Sequence, residues 1–418
     1  MKRALSFVAI TIVVFATLTA VAENVVVHWN NVASTAIVKE GKVGSAPSGI
    51  YFAYVHIAEY DAVNAITQQF QPFYYRGKAP RTASQDAAAG AAAGAAAHRM
   101  LAHLFPAQQA GLDTEYNASL AGLADGPSKK AGIAVGEAAA AAVIEARKGD
   151  GLAADVNYTL KQGPGNWQPT PPANLPPLTP WAGEMKPFTM TSASQFLPGP
   201  PPGRDSDVWR HDLQQVRTLG WVTSTDRTPE QTEIGLFWTE HTGQQYARAF
   251  AYLAENHKLS VADSSRLMAM LWTGYADSVI GCMNAKYHYG LWRPVTAIRA
   301  GDSAEDKNRM PLGPTPNHPE YPAAHGCVTG ALSHLIEGFF GTPKVHIVVD
   351  SKVTGKTHTF EDSRDLLKEV CMSRIYAGFH YNNSLEEGTK LGAAVAKQMT
   401  EKYFLARAGK QEKKVATE

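Results

Sequence analysis

Residues 51–66 read YFAYVHIAEYDAVNAI, and their apolar side chains recur at the spacing of one helix face. Residues 83–104 and 129–147 are rich in alanine and poor in β-branched residues, which favours helices there too. Strand-like alternation is nearly absent, and residues 345–349 are the best exception. Helical periodicity returns near residue 205 and recurs at residues 262–285, 326–339, 365–377 and 385–405. The sequence therefore predicts an all-α fold with two helical halves.

A proline-rich stretch separates these halves. It contains GPGNWQPTPPANLPPLTP and PGPPPG, and a helix cannot continue through it because proline lacks the amide donor. Trp167, Trp181 and Phe188 favour an ordered wrapping connection, since exposed aromatic side chains are unusual in disordered segments. We expect an N-terminal helical half at residues 23–162, the connection at residues 163–204 and a C-terminal helical half at residues 205–418.

Residues 1–22 have the pattern of a secretory signal peptide. Lys2 and Arg3 precede an apolar run at residues 4–18, and AVA at residues 20–22 is a small-x-small cleavage pattern. A retained membrane anchor is the alternative, because the run approaches the roughly 18 to 20 residues that span a bilayer. Cleavage would remove both cations and shift the formal net charge from +1 to −1. We expect a secreted or periplasmic protein without stable membrane insertion after cleavage.

Charge and cysteine content exclude several classes of protein. The 39 lysines and arginines nearly balance the 38 aspartates and glutamates, which excludes a basic nucleic-acid-binding tail and an acidic disordered chain. No nucleic-acid partner is expected. Cys282, Cys327 and Cys371 form no C-x-x-C pattern and fit neither a disulfide scaffold nor a zinc ribbon. Packing or a single bridge are the roles we expect for them, and the oligomeric state is left open.

The first motif with chemical content pairs Lys286 with Arg293. The two are seven residues apart, so on a continuous helix both cations would face one side and grip one oxyanion. Pro294 disfavours helical geometry at Arg293, which would place the guanidinium at a helix end. A solvated helix face is the alternative interpretation.

The second motif, PEYPAAHG at residues 319–326, stands just before an apolar helical run. Pro322 suits the first turn of that helix. A helix that starts there would leave the amides of Ala323, Ala324 and His325 unpaired, and with the helix dipole they would form an anion site. His325 would then lie beside the anion, or else it merely caps or packs.

The third motif, SRIYAGFH at residues 373–380, carries Arg374 and His380 six residues apart. A continuous helix would rotate them roughly 120° apart, so they share a pocket only if the helix ends between them. Gly378 would permit that ending. An ordinary amphipathic helix with a terminal histidine is the alternative.

Together the three motifs supply two guanidiniums, one ammonium, helix-end amides and two imidazoles. This inventory suits a tetrahedral dianion and a pentacoordinate transition state. One of the two histidines can serve as the nucleophile or direct ligand, and the other can serve as the proton donor on the opposite face.

In the order Lys-x6-Arg-Pro, Pro-x-x-His and Ser-Arg-x5-His, the motifs resemble the signature of the vanadium-dependent haloperoxidases and type 2 phosphatidic acid phosphatases. WRPVTAIR at residues 292–299, PEYP at 319–322, AEYDAVNAI at 58–66 and the proline-rich stretch resemble secreted bacterial haloperoxidase-related proteins. The resemblance implies an all-α fold of two helical bundles, with the oxyanion site in the C-terminal bundle. It also implies the residues that hold vanadate or phosphate, namely Lys286, Arg293, Ala323, Ala324, Arg374 and His380.

The roles implied by the resemblance differ between two reactions. In a haloperoxidase, hydrogen peroxide oxidises halide at a vanadate cofactor bonded to His380, while Lys286 polarises the peroxide and His325 acts as acid and base. In an acid phosphatase, which needs no cofactor, His380 attacks a phosphate ester to form a phosphohistidine, and His325 protonates the leaving alcohol. A haloperoxidase-like enzyme is our first hypothesis, the phosphatase the second, and a non-catalytic oxyanion-binding relative the third.

Two departures from the family pattern affect the expected site. Ala323 and Ala324 stand where the family usually has Ser-Gly, which deletes a hydroxyl whose bond to an anion is worth about 1.5–3 kcal/mol, or roughly tenfold to hundredfold in affinity. Ser384 stands where an acidic residue often follows the motif histidine. We therefore expect His380 to lack an orienting carboxylate unless Glu386 or Glu387 supplies one. Two further histidines, His288 and His318, flank the motifs, and we expect surface positions for both, with a pocket role as the alternative.

Overall fold

The structure is a computed structural model that describes residues 24–80 and 84–409. The expected signal peptide at residues 1–22 lies outside the described residues. Within those two ranges the chain forms thirteen α-helices and a single two-stranded sheet. The predicted all-α fold is confirmed.

Five of the helices precede the proline-rich connection. The run of three valines at residues 25–27 opens a helix that the sequence pattern did not predict, and a π-helical turn at Thr35–Glu40 follows it directly. The five helices are α1 (Val25–Ser34), α2 (Ser45–Thr67), α3 (Gln85–Leu104), α4 (Gln109–Ala121) and α5 (Pro127–Ala146).

The remaining helices and the small sheet follow the connection. The strands β1 (Ile347–Asp350) and β2 (Thr357–Phe360) are antiparallel and pair Ile347 with Phe360, close to where strand character was expected. The helices are α6 (Asp207–Leu219), α7 (Pro229–Phe237), α8 (Thr242–Asn256), α9 (Val261–Tyr289), α10 (Pro294–Arg299), α11 (Ala324–Phe340), α12 (Ser363–Tyr376) and α13 (Asn382–Lys402).

The connection between α5 and α6 is ordered, and its regular structure is a short 3₁₀ turn at Pro180–Gly183. The Trp167 side chain is buried, and its backbone amide donates to the carbonyl of Gly290 over 2.7 Å. Leu178 donates to the carbonyl of Asn317 over 2.8 Å. The connection is thus bonded to the end of α9 and to the loop before α11, where the first two of the three chemical motifs lie.

The packing of α2 against α9 joins the two halves and fixes the position of α9. Gly49 of α2 lies so close to α9 that a Cβ there would stand 1.9 Å from the Tyr275 ring. The rings of Phe52 and Trp272 stack with centroids 3.9 Å apart. Burying each such side chain stabilises the fold by about 1.5–3 kcal/mol or more. Because one apolar core spans both halves, the division at residues 163–204 stays a prediction of the sequence.

All three cysteines are free thiols, with Cys282 and Cys327 buried and Cys371 partly buried. They pack against their neighbours, and the single bridge that the sequence left open is not formed. In the ranges that the structure describes, none of the helices combines the length and the apolar character needed to cross a membrane.

Candidate oxyanion site

Lys286 lies in the last turn of α9 and is fully buried. Its Nζ atom donates to the carbonyls of Pro319 and Glu320, at 2.9 and 2.8 Å. Burial disfavours the charged ammonium and lowers the pKa of Lys286 to about 8. An anion nearby would favour the charged form again, so this lysine is poised to respond to one.

Arg293 lies beyond the end of α9, as Pro294 predicted, so Lys286 and Arg293 do not share the face of one helix. Gly290 ends α9 in the left-handed region at φ +61°. Arg293 is extended, at φ −78° and ψ 154°, as the residue before a proline is expected to be. Gly290 ends the helix three residues before Arg293, earlier than Pro294 alone predicts.

The buried guanidinium of Arg293 connects two histidines. Its Nε donates to the carbonyl of His318 over 2.9 Å, and Nη2 lies 3.0 Å from Nδ1 of the same residue. Nη1 lies 3.1 Å from Nε2 of His380 and also donates to the carbonyl of Phe379. Burial lowers the pKa of Arg293 to about 10, which leaves it charged at neutral pH.

The helix α11 begins at Ala324, two residues later than expected. Ala323 is its extended N-cap, and the Ala323 amide donates to the carbonyl of Ser384 over 2.9 Å. The prediction that this amide is free for an anion was therefore wrong. The amides of Ala324, His325 and Gly326 have no acceptor in the part of the chain that the structure describes. Together with the helix dipole, these three donors favour an anion.

His325 lines a cavity in front of this helix end. Neither ring nitrogen has a hydrogen-bond partner among residues 24–80 and 84–409, so the capping alternative is not what the geometry shows. Burial, together with the charge of Arg374, holds the pKa of His325 well below its ordinary value. The imidazole is therefore neutral at pH 7.

The helix α12 ends at Tyr376, between Arg374 and His380, as the sequence predicted. Gly378 has φ +78°, and a Cβ there would lie 2.3 Å from the carbonyl oxygen of Gly220. Only glycine satisfies both the left-handed conformation and the close approach. The chain reverses at this point, and Arg374 and His380 line the same cavity.

Arg374 is buried, and one of its donors lacks a partner. Nη1 donates to the carbonyl of Trp238 over 2.6 Å, and the guanidinium carbon lies 4.7 Å from the centre of the Phe379 ring. Nε is buried without an acceptor among the described residues. Burial lowers the pKa of Arg374 to about 9. A buried cation with an unpaired donor is costly alone, and an anion would compensate that cost.

A carboxylate does orient His380, and the expectation that it would be missing was wrong. Oε1 of Glu320 lies 2.8 Å from Nδ1 of His380. Burial raises the pKa of Glu320 to about 7. The two candidates named from the sequence, Glu386 and Glu387, instead bond to Asn382 and Lys390 on α13. The glutamate was visible in the PEYP motif, but its partner is sixty residues away in sequence, and no local pattern predicts that contact.

His318 is also part of the site, whereas a surface position was expected. Its side chain is buried, contacts Arg293 and lines the cavity. Burial and the charges of Lys286 and Arg293 hold the pKa of His318 well below its ordinary value. His288 is exposed on the last turn of α9, as expected.

The cavity has a volume of about 210 Å³. His318, His325, Arg374 and His380 line it. Arg293 does not line it but contacts His318 and His380. The other walls come from the connection, α2, α8 and α9, through Leu178, Ser45, Thr242 and Tyr275. A larger cavity of about 540 Å³ lies between α1 and α4, but it is lined by His28 and two glutamates without any lysine or arginine. On charge alone, the oxyanion site belongs to the smaller cavity.

This set of donors fits an oxyanion such as vanadate or phosphate. Arg374, with its orphaned Nε, and the first residues of α11 line one small cavity, and Arg293 contacts His380 from behind it. The carboxylate of Glu240 also lines the cavity, and it is bonded to Arg248. The imidazole of His380 has the chemistry of a direct ligand or of a nucleophile. Both reactions implied by the sequence are compatible with this arrangement.

Comparison with known proteins agrees with this description. Residues 266–407 match the family described as VCPO second helical-bundle domain. The crystal structure of the first bacterial vanadium-dependent iodoperoxidase is similar with a TM-score of 0.77 and 23% sequence identity, over 93% of this chain and 98% of that chain. The search of curated proteins finds no match.

Two further structures have the same fold. The apo-type bacterial vanadium-dependent chloroperoxidase gives a TM-score of 0.68 at 16% identity, over 85% of this chain and 93% of that chain. The holo-type bacterial vanadium-dependent chloroperoxidase gives a TM-score of 0.67 at 17% identity, over 86% of this chain and 92% of that chain. Residues 266–407 carry the family match, and the fold shared with the bacterial vanadium-dependent peroxidases extends over most of the chain.

Proposed function

We propose that the protein is a vanadium-dependent haloperoxidase-like enzyme that oxidises halide with hydrogen peroxide. The observation that carries this proposal is the position of His380. Its imidazole is held by Glu320 on one side and Arg293 on the other, and it opens on a cavity shared with His325 and Arg374. The fold shared with bacterial vanadium-dependent iodo- and chloroperoxidases supports the choice of chemistry.

The residues that would hold vanadate are those that surround the cavity. His380 would provide the ligand atom, Arg293 and Arg374 the balancing charge, and the first amides of α11 further donors. Vanadate, when bound, activates hydrogen peroxide toward oxidation of a halide ion. The charge of Lys286, one layer behind, stabilises negative charge in the cavity.

His325 is suited to proton transfer in this cavity. Its imidazole is neutral at pH 7 and has two free nitrogens, so it can accept a proton from hydrogen peroxide at one of them. The protonated ring would then lie close to three cations, and this repulsion favours the return of the proton. A base with these properties suits a reaction in which the proton is taken up and released in each cycle.

Acid phosphatase activity is the second candidate, and the contact between Glu320 and His380 favours it. A carboxylate behind an imidazole raises the basicity of the ring, which helps Nε2 attack phosphorus. The ester oxygen leaves as the bond to phosphorus breaks, and His325 donates a proton to it. The dianionic substrate would first have to raise the pKa of His325, because that residue is neutral in the free protein.

One assay separates the candidates. We would purify the protein without residues 1–22, add orthovanadate, and measure bromide oxidation by hydrogen peroxide beside hydrolysis of an aryl phosphate. His380→Ala is the test variant, and His288→Ala at an exposed histidine is the matched control. Bromide oxidation that requires His380 supports the first proposal. Hydrolysis that vanadate inhibits supports the second, and anion binding without either reaction supports a non-catalytic role.

We also propose that the protein is exported to the periplasm or the medium. The proposal rests on the sequence of residues 1–22. Expression of the full chain followed by cell fractionation and N-terminal sequencing tests it. We expect exported protein that begins at Glu23, and full-length protein in the membrane fraction would favour a retained anchor.

A further inference from the structure

Glu320 occupies a central position in the site, although no motif assigned it a role. It is completely buried. Its carbonyl accepts a hydrogen bond from Lys286, and its carboxylate accepts from Nδ1 of His380 and from the amide of Tyr381, at 2.8 and 3.1 Å. One residue therefore contacts both the ammonium and the imidazole that the motifs selected.

The contacts of His380 determine which ring nitrogen carries the proton. A guanidinium has donors and no acceptor, so Nε2, which lies 3.1 Å from Nη1 of Arg293, must accept. A neutral imidazole with an accepting Nε2 carries its proton on Nδ1. That proton points to Oε1 of Glu320. Oε1 already receives the Tyr381 amide, so it acts as an acceptor toward both groups.

We infer that Glu320 is a positioning residue that holds His380 in the tautomer with the proton on Nδ1, leaving the Nε2 lone pair available for vanadium or phosphorus. The use of that lone pair rests on the proposed function, whereas the tautomer itself is a property of the free protein. The side chains of Glu320 and His380 are both buried, so water does not compete for the hydrogen bond between Nδ1 and Oε1, and this strengthens it.

Two substitutions separate the acceptor atom of Glu320 from its charge. Glu320→Gln keeps an oxygen that can accept from both donors and removes the charge. Glu320→Met has a similar volume and removes the acceptor. Glu386→Gln is the matched control, because that carboxylate is exposed and bonds only to Asn382 among the described residues.

The primary measurement is ¹⁵N NMR of the histidine rings in the free protein, with His380 assigned by its loss in His380→Ala. We expect Nδ1 protonated and Nε2 unprotonated in the wild type, in Glu320→Gln and in Glu386→Gln. In Glu320→Met, Nδ1 loses its acceptor, so we expect a larger share of the Nε2-protonated tautomer, in which Nε2 no longer accepts from Nη1 of Arg293. A purely structural role for Glu320 would leave the tautomer unchanged in every variant that folds, and that result would overturn the inference.

The second measurement compares turnover with binding of inorganic phosphate. For groups that orient a ligand histidine, the loss is typically on the order of 10–100-fold. We expect kcat to fall by that factor in Glu320→Met and also to fall in Glu320→Gln, while phosphate binding is not weakened, since a negative charge has been removed. If Glu320→Met does not fold, the tautomer in Glu320→Gln decides the question, and an Nε2-protonated His380 in that variant, which keeps the acceptor, would overturn the inference.

The inference and the proposed function fail in different ways. A wild-type protein without bromide oxidation or phosphate-ester hydrolysis, but with a tautomer that depends on Glu320, contradicts the function and supports the positioning role. An active enzyme whose His380 tautomer is the same in Glu320→Met contradicts the positioning role and leaves the function intact.

Discussion

Nη1 of Arg293 lies 3.1 Å from Nε2 of His380, so a buried cation donates to the lone pair of the imidazole that the site is built around. In the free protein this contact satisfies both groups. An oxyanion that bonds to Nε2 replaces Arg293 as the partner of that nitrogen, and Nη1 can then donate to the anion instead. Arg293 is therefore expected to contribute to affinity through a change of hydrogen-bond partner, without moving from its place.

Arg293→Lys should weaken oxyanion binding although it keeps the positive charge. A lysine ammonium lacks the planar fork that reaches His318, Phe379 and His380 together. Loss of one hydrogen bond between charged groups costs about 1.5–3 kcal/mol, so affinity for inorganic phosphate should fall roughly tenfold to hundredfold. Calorimetric titration measures this, with the exposed Arg210→Lys as control. Equal affinity in Arg293→Lys and wild type would count against the contact.

Gly378→Ala should destabilise the protein more than Gly341→Ala. Both glycines have positive φ, +78° and +73°, and the left-handed conformation costs a residue with a side chain about 1–2 kcal/mol. A Cβ at Gly341 meets nothing within 4 Å, whereas one at Gly378 meets the backbone of Gly220. Urea unfolding of the two variants isolates the cost of the close approach. Equal losses would show that the turn before His380 tolerates a side chain.

Ala323→Ser should raise the free energy of unfolding by about 0.5–2 kcal/mol. Ala323 is the N-cap of α11 and offers no side-chain acceptor, while the amide of Gly326 at the third helical position is unpaired. The added hydroxyl would accept from that amide. Ala331→Ser, in the buried interior of the same helix, is the control and should lower stability. Destabilisation by Ala323→Ser would mean that α11 does not begin where it is described.

His358 should make stability depend on pH. Burial lowers its pKa, but hydrogen bonds and charges from Glu369 and Glu233 outweigh burial, so the pKa of His358 is raised. Nδ1 and Nε2 lie 2.7 and 3.0 Å from the two carboxylates. A raised pKa contributes stability that is complete below the unfolded value of about 6.5 and is lost as pH rises through the folded value.

Urea unfolding across this pH range measures the effect of His358. The free energy of unfolding should fall less steeply with pH in His358→Gln than in the wild type. His288→Gln, at an exposed position, is the control and should follow the wild type. Parallel curves for all three proteins would show that the two carboxylates do not hold a protonated imidazole.

Sequence patterns predicted those features that depend on neighbouring residues. Gly378 predicted where α12 ends, because few residues tolerate a left-handed conformation, and Pro294 predicted the extended backbone of Arg293. The contact between Glu320 and His380, and the burial of His318, depend on packing between distant segments. No periodicity encodes such contacts. The sequence pattern therefore predicted Glu386 or Glu387 as the carboxylate that orients His380, and it predicted a surface position for His318.

The convergence of the three motifs on one anion is tested most directly by a crystal structure of the protein soaked in orthovanadate. We predict vanadium in the cavity of about 210 Å³, bonded to Nε2 of His380 and contacted by Arg374 and the first amides of α11. Vanadate bound elsewhere, or a cavity that stays free of vanadium in the soaked crystals, would contradict this account.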